Sequence, residues 1–474
     1  METTTLLDLP LEEAVAGIRA RTFSALDYCE AFIAQSERHE SLNAFVSWDW
    51  DQLRIAARRV DDGRNSGPLA GIPLAIKDNI NTVGLPTTAG TGALANFRPV
   101  TDATTAERLF VGGALLGAKA NMHELAFGIT TNNGVTGAST NPYDVSRIPG
   151  GSSGGVAVAV AARMMPAGIG TDTGASVRLP AALCGLVGFR PSVGRYSGEG
   201  IVPISHTRDI AGPMTRSVAD AILIDAVLTE SKDGIEPVSL KELRIGLPNA
   251  YFFEDLDPEI AAIAAQFIEA LERQGVTFVR ADIENLEALN AVVGFPIALY
   301  EFMQDIPAFL KAHDIALTMD DLLRGIGSAD VKGIVASQMG SDAMPAEAYA
   351  KALNEDRPRL QAAYADYFRT HAVDAVLFPT APLAASPIGD DETVELNGRR
   401  VPTFPTFIRN TDPASNAGIP GISLPAGLTR GGLPVGMELD GPAGSDRRLL
   451  AIARAVEEAA GFTSAPKIAG LSTQ

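Results

Sequence analysis

Gly170-Thr-Asp-Thr-Gly-Ala-Ser-Val-Arg-Leu-Pro180, read together with Pro149-Gly-Gly-Ser-Ser-Gly-Gly155 just upstream, decides how this chain is to be understood. Gly168-Ile-Gly-Thr171 has the apolar, β-branched character of a buried strand end, so the longer segment begins where a strand gives way to a turn. Glycine at this density marks backbone that passes close to other atoms or adopts conformations closed to other residues. Further upstream, Gly71-Ile-Pro-Leu-Ala-Ile-Lys77 is a turn signal followed by a short apolar run, a strand that ends on Lys77-Asp-Asn79.

Gly-rich segments have other uses. The phosphate-binding pattern fails because no Gly-Lys-Ser/Thr follows, and Gly168, Gly170 and Gly174 have the wrong spacing for a dinucleotide fingerprint. Gly151-Ser-Ser-Gly-Gly155 formally fits a nucleophile elbow with Ser153 at its centre. That arrangement needs a downstream histidine base. His206, His313 and His371 are available, and only His206, in Ile204-Ser-His-Thr-Arg-Asp209, has a context worth considering. His123-Glu124 lacks the second histidine of a zinc helix, and Cys29 and Cys184 are too few for a zinc knuckle. Neither a metal nor a cofactor is expected.

Taken together, the three segments resemble the amidase signature family. The resemblance places a base at Lys77, a bridging serine after a cis peptide at Ser152, and the nucleophile at Ser176. One departure is visible: Ala175 stands where the family has a second glycine. The match extends nearly end to end, to Asn416-Ala-Gly-Ile-Pro-Gly-Ile-Ser-Leu-Pro425. Within the family, the string from Gly170 through Phe189-Arg-Pro191, with Asn121-Met-His-Glu-Leu-Ala-Phe-Gly-Ile129 and Ile297-Ala-Leu-Tyr-Glu-Phe302, is similar to the branches that hydrolyse indoleacetamide and mandelamide.

The chemistry that the resemblance implies suits these residue types. A serine hydroxyl needs a base within hydrogen-bond reach. A lysine can serve if burial lowers its pKa from about 10.4 towards neutrality. Neutral Lys77 would take a proton from Ser152, and Ser152 from Ser176. Backbone N–H groups of the Thr173, Gly174, Ala175 and Ser176 turn would form the oxyanion hole. Asp172 and Arg178 would pair and brace the loop. The expected reaction is acyl transfer from a small, aryl or arylacetic carboxamide, releasing ammonia and then the acid. Leu125, Phe127, Phe295, Tyr300, Phe302 and Phe407 are the expected apolar pocket residues. No arginine is evidently placed to grip a substrate carboxylate. The alternatives are an amidotransferase subunit that takes ammonia from glutamine for a partner, an anilide hydrolase, and a binding protein with a dead site.

The rest of the chain sets limits. A net charge of −19 and no long basic run argue against nucleic acid as a partner. The first residues show neither a basic n-region nor a long apolar stretch, so a cytoplasmic address is expected. No membrane span is expected either, because the longest small-apolar run, from Val156 to Ala162, is cut by Arg163 and Pro166. Two cysteines make no disulfide framework. The small-molecule amide is therefore the expected partner, and a homodimer stays open.

Helical spacing is evident at Leu11–Ala20, at Ser24–Arg38 with Ser24 as N-cap, at Thr104–Gly113, after Asp257-Pro258 (stripe Ile260, Ile263, Phe267, Leu271) and at Arg447–Ala460. Strand signals at Leu115–Lys119, Ala375–Phe378, Gly421–Leu424 and Val435–Leu439 come from both halves of the chain. The expected fold is α/β: a single domain over 1–474, with a central mixed β-sheet covered by helices on both faces. A catalytic core at 71–215 and a helix-rich, pocket-forming portion at about 230–374 are expected within it.

Overall fold

The computed structural model describes residues 3–463 and 465–468. Its framework is an 11-stranded mixed sheet. In chain order the strands are β1 (Phe45–Trp48), β2 (Pro73–Lys77), β3 (Leu115–Ala120), β4 (Ala167–Asp172), β5 (Val187–Arg190), β6 (Ile210–Thr215), β7 (Arg244–Gly246), β8 (Thr277–Val279), β9 (Ala375–Pro379), β10 (Gly421–Leu428) and β11 (Pro434–Asp440). Across the sheet they run β1-β3-β2-β4-β6-β5-β10-β11-β9-β7-β8. β2 pairs in parallel with both β3 and β4, whereas β4–β6, β5–β10 and β10–β11 are antiparallel. Both halves of the chain thus share one sheet.

Strand alternation explains why both faces are covered, since successive side chains point to opposite sides. On β2, Leu74 and Ile76 enter a cluster with the N-terminal helices, while Ala75 enters the opposite cluster with Val156–Ala162. On β9, Ala375 and Leu377 pack with the helices Pro258–Arg273 and Asp446–Ala460, and Val376 and Phe378 pack with Leu360 and Tyr364. Strands buried on both faces lose the polar alternation of a half-exposed sheet, which is why β2, β4 and β9 read as continuous apolar runs.

Local signals fix the ends of several helices. Ser24 caps Ala25–Arg38 in a reciprocal box with Asp27. Asp257 accepts a hydrogen bond from Glu259 N at the start of Pro258–Arg273, with proline in the first turn. Ile260, Phe267 and Leu271 of that helix are buried, and Ile263 is half-buried. The stretch 230–374 carries most of the later helices, but it also supplies β7 and β8 at one sheet edge.

One stretch, Leu286–Ala312, is long and apolar enough to cross a membrane by length and composition, with mean hydropathy 1.3. It escaped the sequence reading because Glu301, Asp305 and Lys311 interrupt it. It comprises two helices, Leu286–Ala291 and Gly294–Ala312. Ile297, Phe302, Ile306 and Leu310 are buried within the protein, and Glu301, also buried, bonds Ser205, Thr207 and Tyr349. That is the pattern of a core helix.

Candidate active site

β2 and β4 are neighbours in the sheet, and their C-terminal ends bring Lys77 and Thr171 together. Lys77 Nζ lies 2.8 Å from Ser152 Oγ and 2.8 Å from Thr171 Oγ1. Lys77 and Ser152 are fully buried, and Ser176 is 7% exposed. Burial pushes the Lys77 ammonium down to about 7, against the opposing pull of Asp172 and Asp209. The Gly151–Ser152 peptide is cis. Among the described residues the hydroxyls of Ser152 and Ser176 make no direct hydrogen bond.

The glycines that flank Ser152 meet two different demands. Gly150 has φ +82°, a region that side chains with a Cβ disfavour. Gly155 opens the helix Gly154–Ala161, and a Cβ there would come within 2.5 Å of backbone oxygens of Asn121 and Ala44. Ser153 ties the two serine segments together. Its hydroxyl donates to Thr171 O (3.2 Å) and accepts from Thr171 N (3.3 Å), and its N–H donates to Ser176 O (3.3 Å). Its bonds therefore go to the backbone, without a histidine partner. His206 instead pairs with Asp305 at 3.0 Å. It also lies 3.7 Å from Glu301, and these three are the one His/Asp/Glu group among the described residues close enough to hold a metal ion.

The turn after β4 is anchored from below. Arg178 meets Asp172 at two points, Nε to Oδ2 and Nη2 to Oδ1, both 3.1 Å. It also donates to Glu438 Oε1 (2.5 Å), Ser415 Oγ (2.6 Å) and Gly174 O (3.1 Å). Arg190 adds a bond to Asp172 Oδ1 (3.2 Å). Burial would raise the Asp172 carboxyl, but the two guanidiniums hold it well below the usual carboxylate range. Thr173 Oγ1 donates to Asp209 Oδ1 at 2.6 Å, fixing the other side of the turn. The N–H groups of Gly174, Ala175 and Ser176 meet no acceptor among the described residues and remain available. Ala175 is buried in a cluster with Ile129 and Leu179.

Beside the turn lies a mostly apolar cavity of about 200 Å³, with Thr173, Gly174, Ala175 and Ser176 on its wall. Of the six aromatic and aliphatic residues expected there, it brings in Phe127 and Phe295. The other four need correction, because none lines this cavity: Leu125, Phe302 and Phe407 are buried behind it and Tyr300 is half-buried beside Tyr349. Phe302 stands edge-on behind Phe127 with ring centres 4.6 Å apart, and Tyr300 stacks on Tyr349. Leu125 and Phe407 are core residues in separate clusters. The walls that the sequence did not suggest include Ile129, Ile204, Ala298, Leu299, Phe404 and Ile408.

Two charged residues on the wall were also missed, Arg208 and Asp412. An arginine thus lies on the wall, where none was evident in the sequence. Arg208 is however neutralised by Asp412, Nη2 to Oδ1 at 2.8 Å. Both lay beside quoted strings: Arg208 next to His206, and Asp412 just before Asn416-Ala-Gly. His123-Glu124 belongs to packing. His123 Nε2 lies 3.0 Å from Asp330 Oδ2, and Glu124 accepts from the N–H groups of Gly327 and Ser328.

A buried amine on a hydroxyl can act as a base, and a serine turn with free N–H groups can receive a developing oxyanion. The chain belongs to the Amidase family, whose model matches residues 27–450, and it is an amide-hydrolysing enzyme. It is 52% identical to the indoleacetamide hydrolase of Agrobacterium vitis over 459 residues, 97% of this chain and 98% of that one. It is 39% identical to the mandelamide hydrolase of Pseudomonas putida, over 99% and 95% of the two chains. The crystal structure of the peptide amidase from Stenotrophomonas maltophilia superposes with a TM-score of 0.84 at 28% identity, covering 97% of this chain and 98% of that one.

Proposed function

We propose that this amidase hydrolyses an arylacetic primary carboxamide of the indole-3-acetamide type through an acyl-enzyme on Ser176. The observation that carries the reading is the contact of Lys77 with Ser152 in a site dry enough to hold the amine near neutrality. Neutral Lys77 takes the Ser152 proton as Ser152 takes that of Ser176. The Ser152 and Ser176 hydroxyls close on each other once substrate fills the cavity, as catalytic contacts commonly tighten in the complex. Ser176 Oγ then bonds the amide carbon. The N–H groups of Gly174, Ala175 and Ser176 receive the negative oxygen. The proton returns through Ser152 to the nitrogen, the C–N bond breaks, and ammonia leaves. Water attacks the ester by the same relay in reverse, freeing the acid. Asp172 and Arg178 hold the turn and take no proton.

The apolar cavity and the sequence likeness to indoleacetamide hydrolases support a neutral aryl acyl group. Burying an uncompensated carboxylate costs several kcal/mol, whereas a missing methylene costs about 1 kcal/mol. Steady-state kinetics on indole-3-acetamide, phenylacetamide, an anilide and glutamine test this. The primary arylacetamides should show much the highest kcat/KM. Equal or better glutamine hydrolysis would point to the amidotransferase alternative, and a preference for the anilide would put the bulky group on the leaving side.

A further inference from the structure

Asp412 stands out on the cavity wall. Most of the lining is apolar; Arg208 Nε has no partner, whereas other polar groups there are engaged. Thr173 Oγ1 donates to Asp209, Ser337 Oγ donates to Ile334 O, and Arg208 donates to Gly294 O and to Asp412 itself. Asp412 is 17% exposed, against 5% for Arg208. Its Oδ2 accepts from Asn416 (2.8 Å) and Asn290 (3.2 Å), while its Oδ1 accepts from Arg208 alone. A carboxylate offers about four lone-pair positions, so one on Oδ1 is open.

The position of that oxygen matters. A Cβ built on Gly174 would lie 3.1 Å from Asp412 Oδ1. Oδ1 therefore lies beside Gly174 in the turn that carries Ser176, on the wall of the same cavity.

We infer that Asp412 is a specificity-determining residue whose carboxylate accepts a hydrogen bond from a ring N–H on the acyl group, as an indole offers. The inference rests on the function proposed above. Arg208 cancels the charge of Asp412, so the wall does not call for a cationic substrate. An acceptor with one open position in an apolar wall selects a neutral donor. A substrate that fills the same space without an N–H excludes water from that lone pair and gives it no donor, whereas an indole N–H fills it.

The test compares indole-3-acetamide with 1-naphthaleneacetamide and 1-methylindole-3-acetamide on the purified enzyme. Naphthalene is more apolar than indole, so a purely hydrophobic pocket would favour it. With Asp412 acting as inferred, indole-3-acetamide leads both donor-free amides by about ten- to a hundredfold in kcat/KM. Asp412→Ala brings that ratio to within about threefold. If the variant does not fold, the wild-type comparison decides alone. Equal or better hydrolysis of 1-naphthaleneacetamide by the wild type, or a preference that survives in Asp412→Ala, overturns the inference while leaving arylacetamide hydrolysis standing. Failure to cleave any of the three amides removes the proposed function and the inference with it.

Discussion

Lys77 Nζ is as close to the Thr171 hydroxyl as to that of Ser152, 2.8 Å in each case. Thr171 Oγ1 also accepts from Asn79 Nδ2 at 3.1 Å, so its own orientation is fixed. An amine held from one side by threonine presents its lone pair to the other. The lysine is thus aimed as well as desolvated.

The first prediction is a pH profile. Lys77 works as the neutral amine, so kcat/KM should fall on the acid side of about 7 and level off above it. Lys77→Ala should lose most activity at every pH. Thr171→Val removes an acceptor that favours the charged amine, so the acid limb should move to lower pH while kcat drops. An acid limb unmoved by the valine substitution would deny Thr171 this role.

Burying a lysine has a thermodynamic counterpart. Lys77→Met should be inactive yet more stable than the wild type, because the unfolded chain keeps the ordinary lysine pKa and folding must remove the proton. The folded-state pKa is depressed, so this cost is present at pH 7 and fades as pH rises towards the unfolded value of 10.5. Thermal midpoints at pH 7 and pH 10 measure it. The gain should shrink at the higher pH.

Nucleophile identity separates the two serine readings. A fluorophosphonate should label Ser176 and leave Ser153 untouched, because the Ser153 hydroxyl is tied to the Thr171 backbone. Ser176→Ala should reduce kcat by about a thousandfold or more and retain the wild-type circular dichroism spectrum. Peptide mapping of the adduct to Ser153 would restore the elbow.

Arg178 sits fully buried between Asp172 and Glu438. Arg178→Met strands Glu438 without a cation, leaves Asp172 to Arg190 alone, and should destabilise the fold by about 3–5 kcal/mol, read from chemical denaturation. A variant with wild-type stability would show that the carboxylates take up protons at little cost.

Glu457 gives a stability test away from the active site. Burial raises it to about 7, although both its oxygens accept from Val218 N at 3.0 Å. Its folded pKa lies above the ordinary value of 4.5, so its contribution is complete below that pH and is lost as pH rises through about 7. Glu457→Gln keeps the acceptor without the charge. It should raise stability by about 1 kcal/mol at pH 8 and by little at pH 4. Equal gains at both pH values would point to packing instead.

The segments that carry Lys77, Ser152 and Ser176 could be picked out in the sequence because each is short and its residue types are tightly constrained by backbone geometry. Of the sheet, β2, β3, β4, β9, β10 and β11 were legible as apolar runs, while β1, β5 and β6 were not singled out. β7 and β8 escaped because each has three residues, too few to show a period. The pocket was the least legible part. Its walls come from distant segments around residues 127, 204, 296 and 408, and an aromatic side chain does not announce which way it faces. Phe127 reaches the cavity while Phe302, in contact with it, lies behind. Asp412 and Arg208 were hidden for a related reason: a charged residue in a turn or at a helix start looks solvated until its partner on another segment is known.

The helices Gly294–Ala312 and Ala329–Gln338 line the cavity through Phe295, Ala298, Leu299, Ile334 and Ser337, yet contribute nothing to the hydrogen bonds around Lys77, Ser152 and Arg178. This part of the wall is thereby inherited apart from the residues around Lys77, Ser152 and Arg178. Mutations in those two helices can explore new acyl groups while the proton relay stays whole, which makes this wall the natural target for redirecting the enzyme by laboratory evolution.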